Sequence, residues 1–100
     1  MDVVDETLSQ AIIEYLAKGR SPFPKSDEDA VVALAGDDAG AMLARVRGIV
    51  DEMMAIETDW SANTLSEGGR KAEAVMASRH PELSEDALAA LYWMFTYNWR

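Results

Sequence analysis

Apolar residues along this chain recur at spacings of three and four, the signature of α-helices that bury one face. Leu8, Ala11, Ile12, Tyr15 and Leu16 mark the first such segment, with Asp5 and Glu6 at its start, where acids favour the helix dipole. Lys18 and Gly19 supply stop signals, a cation near the last turn and a residue suited to a left-handed cap. Residues 20–25, Arg-Ser-Pro-Phe-Pro-Lys, cannot continue the helix, because each proline lacks a donor and restricts the residue before it. Phe23, pinned between Pro22 and Pro24, is expected to plug the core from this loop.

Ser26 and Asp29 read as a variant capping box that opens a short helix through Ala30, Val31, Leu34 and Ala35, closed by Gly36. Asp37 or Asp38 restarts the chain. In the longest segment Met42, Val46, Ile49, Met53, Ile56 and Trp60 step by 4, 3, 4, 3 and 4, a seam with Leu43 and Val50 on one flank. It is too short for a free coiled coil and predicts the central helix of a bundle. Residues 58–63 form a polar break around Trp60. Thr64 and Glu67 are then spaced as a capping box ahead of Leu65, Ala72, Val75 and Met76.

Gly68 and Gly69 fall in the first turns of that helix and cost about 1 kcal/mol each relative to alanine. Close approach of another helix or of the Trp60 ring is the expected reason. A phosphate-cradling loop would need a preceding strand and a G-x-x-x-x-G-K-[ST] pattern, and the sequence has neither. His80-Pro81 ends the segment, and Ser84 caps the last helix with Leu83 and Leu88 placed as a hydrophobic staple. There Leu88, Leu91, Tyr92, Phe95 and Trp99 form the main apolar face, while Trp93, Met94 and Tyr97 fall on the other side. A helix apolar nearly all round is either central to a fold or uses its second face to hold a partner or another copy of itself. No alternating β-branched run with hairpin punctuation occurs. The pattern predicts an all-α fold, a small irregular or orthogonal bundle of about five helices forming one domain over residues 1–100.

Composition agrees with one packed domain. Of 100 residues, 49% are hydrophobic and three are proline, a balance that disfavours disorder. The absence of cysteine excludes disulfides and thiolate metal sites and fits a reducing compartment. Residues 1–10 carry Asp2, Asp5 and Glu6 and no basic side chain, unlike a secretory leader. Uncharged stretches fall short of the about 20 apolar residues a bilayer span needs. A cytoplasmic protein without membrane contact is the expectation.

Charge changes the picture further. Eighteen acids against nine bases give a net charge of −9, which repels nucleic acid, and the nine bases are scattered rather than massed. Direct nucleic-acid binding is therefore not expected. The single histidine, His80, is expected to sit at a helix end against the last carbonyls. No G-x-S-x-G elbow is present. The acidic clusters Asp27-Glu28-Asp29, Asp37-Asp38, Asp51-Glu52 and Glu85-Asp86 match no calcium loop, and no E-x-x-H pair suggests a bundle metal site. Neither metal, cofactor nor catalytic residue is predicted, and the chain is expected to be non-enzymatic.

The acids are unevenly placed. Residues 1–40 carry nine acids and three bases for −6, residues 41–63 four and two for −2, and residues 64–100 five and four for −1. The aromatic residues Trp93, Tyr97 and Trp99 lie at the other end. Acids raise the on-rate for a cationic target, and aromatics anchor interfaces. The leading expectation is a protein-binding module for a basic partner, contacting it through Trp93, Tyr97, Asp27, Glu28, Asp29, Asp37 and Asp38. In composition this resembles small inhibitors and immunity proteins that neutralise basic nucleases. Two alternatives accompany it: a homodimer paired through the final helix, and a small-ligand or enzymatic site around His80 and Glu82.

Overall fold

The computed structural model describes residues 4–99 and contains five α-helices: α1 (Glu6–Leu16), α2 (Glu28–Ala35), α3 (Ala39–Met54), α4 (Leu65–Arg79) and α5 (Glu85–Asn98). A single 3₁₀ turn, Gly36–Asp38, links α2 to α3, and no strand occurs among the described residues. The fold is the small all-α bundle the periodicity predicts. Helices α2, α1, α5 and α4 pack side by side in that order, and α3 touches all four. The extents of 45 × 34 × 20 Å follow, since 20 Å is two helix diameters.

Four of the five helices start on a side chain that satisfies an orphan backbone donor, whereas α3 follows the 3₁₀ turn without one. Asp5 accepts from the Leu8 amide at 3.0 Å, Ser84 from Ala87 at 3.1 Å, and Thr64 and Glu67 complete the reciprocal capping box. At α2 the cap is Asp27, which accepts from Ala30 at 3.1 Å, rather than Ser26 as the sequence pattern suggested. The Asp27 amide donates to the Tyr15 carbonyl at 2.8 Å, which holds it at the helix mouth. At the end of α1 the left-handed cap is Ala17 (φ 63°), ahead of Gly19.

Leu8, Ile12 and Leu16 of α1 meet Val46 and Met53 of α3, Met76 of α4, and Leu91 and Phe95 of α5 in one fully buried cluster. Each such side chain contributes about 1.5–3 kcal/mol of burial. The seam of α3 holds for Val46, Ile49 and Met53, but the helix stops at Met54 and α1 and α5 supply more of the centre. Ile56 lies past the helix end and still packs on the core. A polar tie crosses this apolar centre. Ser9, 1% exposed, accepts from the Ser84 amide at 2.9 Å and so locks α1 to the start of α5.

Two expectations about aromatic and apolar faces are corrected. Phe23 does not plug the core; it is 45% exposed, with the Lys25 ammonium 5.8 Å from its ring centre. The Lys25 amide is bonded to the Leu16 carbonyl, so the loop runs along the end of α1 and carries the ring outward. On α5 the buried stripe is Ala87, Ala90, Leu91, Met94 and Phe95, so Met94 belongs to the core, whereas Trp99 is 46% exposed beyond the last turn. A helix apolar on every side does not reveal its rotation, and here the alanines set it by letting neighbours approach.

The adjacent glycines of α4 answer two different neighbours. A Cβ on Gly68 would lie 2.7 Å from both Thr58 Cγ2 and a Trp60 ring carbon; one on Gly69 would lie 2.6 Å from Thr96 Cγ2 and 2.7 Å from Tyr92 Cε2. Gly68 thus seats the loop after α3, and Gly69 seats α5.

Candidate functional site

Three regions bear on function. The first is the outer face of α2 and the 3₁₀ turn. Helix α2 buries Val31 alone, because it lies at the edge of the layer with α1 and α3 as its helical neighbours. Val32 is 45% and Leu34 41% exposed. Asp29 and Ala33, at i and i+4, continue the outer surface next to Val32, and the exposed Asp37 and Asp38 follow in the turn. Leu34 stands at the border, where it lines a groove with Gln10, Glu14 and Arg20.

The five acids predicted here divide into two groups. Asp27 is committed to its cap and to Arg20, 3.4 Å away, which also reaches Glu14 at 3.1 Å. Glu28 pairs with Arg47 of α3. Asp29, Asp37 and Asp38 are exposed and have no ion pair among the described residues. The other predicted contacts are elsewhere: Trp93 is half-buried against the core, Tyr97 is 38% exposed, and α2 does not touch α5. The acidic segment and the aromatic helix are therefore not in direct contact.

The second region surrounds His80. Its ring does not cap the last carbonyls of α4 as expected. Nε2 lies 2.9 Å from Glu52 Oε1 on α3, and Nδ1 lies 3.5 Å from Glu82 Oε2 in the α4–α5 connection. Arg79 reaches Glu52 at 3.1 Å, and Arg45 bridges Glu82 at 3.8 Å and Asp5 at 3.5 Å. The network ties the start of α1, the middle of α3 and the corner before α5 together. It borders a shallow groove of about 290 Å³, whose lining includes Arg45, Gly48 and Ile49. The two carboxylates face opposite ring nitrogens, so they do not converge on one point. No group of three or more histidine and acidic residues able to hold a metal occurs among the described residues.

Glu52 is held below the ordinary carboxylate value of 4.5, first by its hydrogen bond to His80 and further by Arg79. The folded state therefore binds fewer protons here than the unfolded state. The resulting stabilisation is complete above pH 4.5 and is lost as pH falls through the lower folded value. Glu52→Gln should flatten the acid limb of the stability profile. Urea midpoints should converge with wild type only as pH falls below 4.5, while a loss at neutral pH of up to about 1 kcal/mol is expected for a pair this exposed. Parallel acid limbs in the two proteins would show that Glu52 plays no part.

The third region escaped sequence reading because it joins residues assigned to a seam, a polar break and a core face. Trp60, in the loop after α3, lies 6.1 Å from Phe95 and 5.9 Å from Trp99 between ring centres, and Phe95 and Trp99 are 6.3 Å apart. An Asx turn shapes the loop: the Ser61 amide and hydroxyl both donate to Asp59 Oδ1, and Asn63 bonds back to the Asp59 carbonyl. Trp60 is 38% exposed, and with Trp99 it lines an open groove of about 480 Å³. The unusual pair of glycines at the start of α4 was the one signal of a close-packed ring.

No helix among the described residues is long and apolar enough to cross a membrane. Compared with protein-family models, curated proteins and solved structures, the chain matches none.

Proposed function

We propose that this chain is a non-enzymatic, cytoplasmic protein-binding module that engages a basic partner through the outer face of α2 and the turn after it. The supporting observation is the placement of Asp29, Asp37 and Asp38, outside any ion pair among the described residues, beside the exposed Val32 and Leu34. Apolar centres with a charged rim are the common anatomy of protein interfaces, and the rim charge selects a cationic surface. An inhibitor or neutraliser is the concrete form of this role. The surroundings of His80 favour the non-enzymatic reading, since both its ring nitrogens face carboxylates and no serine or threonine lines its groove.

Affinity purification from the source lysate tests this with two variants. Val32→Ala/Leu34→Ala removes the apolar centre without lowering helix propensity, and Asp29→Asn/Asp37→Asn/Asp38→Asn removes the rim charge. A basic protein should co-purify and re-form the complex from purified components. The apolar variant should bind it about tenfold more weakly, and the charge variant should show a shallower salt dependence. A captured protein that is acidic, or one held equally by all three forms, refutes the proposal.

Self-association is the second reading, favoured by the exposed Tyr97 and Trp99 at the end of α5. Sedimentation equilibrium separates it. A dimer weakened by Tyr97→Ala, with Val32→Ala/Leu34→Ala without effect, would replace the partner proposal with a homodimer.

A further inference from the structure

We infer that the groove between the ends of α3 and α5 is a binding site for a small organic cation, a quaternary ammonium compound free in solution. Four features of one place point to that chemistry. Its walls are apolar and aromatic, formed by Met54, Ile56, Thr58 and the half-exposed indoles of Trp60 and Trp99. Aromatic faces attract cations, and most effectively those whose charge is already poorly hydrated. The groove's one charged lining residue is Glu57, an exposed carboxylate with no ion pair among the described residues.

Two helix C-termini also meet there. Met54 and Ala55 end α3, and Trp99 is the C-cap of α5. Each such end carries partial negative charge on its last carbonyls, and neither helix has a basic residue in its last turn to offset it. An anion would therefore meet a carboxylate and two negative dipole ends. A neutral apolar ligand would gain the walls alone. A quaternary ammonium uses both, and a volume of about 480 Å³ accommodates a compound of choline size or larger.

The site is held in shape before any ligand arrives. Trp60 is wedged by the missing side chain of Gly68, backed by Phe95, and set on a loop closed by the Asp59–Ser61 turn. This preorganisation reduces the ordering a ligand would otherwise impose.

Titration of the purified protein with choline chloride at constant ionic strength, followed by the indole N–H resonances, tests the site. Saturable shifts of Trp60 and Trp99 are expected, with Trp93 unmoved. The neutral isostere 3,3-dimethyl-1-butanol should bind about tenfold more weakly, the discrimination expected of two indoles and a carboxylate. Glu57→Gln, an exposed change that leaves the core untouched, should weaken choline severalfold and leave the neutral alcohol unaffected. Absence of saturation, equal affinity for the neutral compound, or choline affinity unchanged in Glu57→Gln overturns the inference. Because purified protein is used, the outcome is independent of any protein partner at α2.

Discussion

Phe95→Ala should lower the unfolding free energy by about 3–5 kcal/mol, the range for emptying a buried aromatic site. Phe95 is fully buried and stacks on Trp60 while also meeting Trp99, so its removal opens a void against the core and withdraws the support of both indoles. A single domain of this size has about 5–15 kcal/mol in total, so the loss would be a large share. Urea unfolding followed separately by far-ultraviolet dichroism and tryptophan fluorescence would check it. The two probes should coincide in wild type. In the variant the fluorescence baseline should report more solvated indoles even where helix content is retained. A change below 1 kcal/mol would mean that the loop bearing Trp60 collapses into the void.

The second large effect is a contrast of sign between two identical substitutions. Gly69→Ala should destabilise the protein by about 1–3 kcal/mol, although alanine is the better helix former. The added Cβ would sit 2.6 Å from Thr96 Cγ2 and 2.7 Å from the Tyr92 ring, so α4 and α5 would have to separate. That ring is already fixed on its other contacts, with the Arg70 guanidinium 4.0 Å from its centre. Gly48→Ala, in the exposed middle of α3, meets nothing within 4 Å and should stabilise by up to about 1 kcal/mol. Thermal or urea midpoints shifted in opposite directions would bear out the packing account. Adding Thr96→Ser to Gly69→Ala removes one clashing methyl and should recover part of the loss. Destabilisation by both glycine variants would instead point to a general intolerance of α3 and α4 to substitution.

Much of the architecture was legible because it is set by interactions within a few residues. The caps at Thr64 and Ser84, the acidic start at Asp5 and Glu6 and the stops at Gly36 and His80 are local chemistry, and the 3,4 spacing of α1 and α3 marks which side must be covered. The same locality explains the error at α2. Ser26 and Asp27 are both competent caps, and the choice fell to Asp27 because the Tyr15 carbonyl of α1, twelve residues earlier, holds its amide.

The acidic segment was legible as composition but not as an electrostatic surface. Asp27 and Glu28 are drawn into pairs with Arg20 and Arg47, which the chain brings in from a loop and from another helix, whereas Asp29, Asp37 and Asp38 are left facing solvent. The His80 network and the Trp60 groove were less legible still. His80 meets Glu52 from a helix 28 residues earlier, and Trp60 meets residues 35 and 39 positions later, so no motif spacing could report them.

By itself, the sequence determined that this protein is an acidic all-α domain, where its helices begin, and that Gly68 and Gly69 had to face something close. Tertiary structure alone decided which side of α5 is core, that Phe23 points outward, which acids stand outside the ion pairs among the described residues, and that two helix ends and two indoles share one groove. The physical reason is the range of the forces concerned. Capping and periodicity act over one turn of the same helix, whereas burial, ion pairing and aromatic contact depend on which distant segments packing brings within a few ångströms.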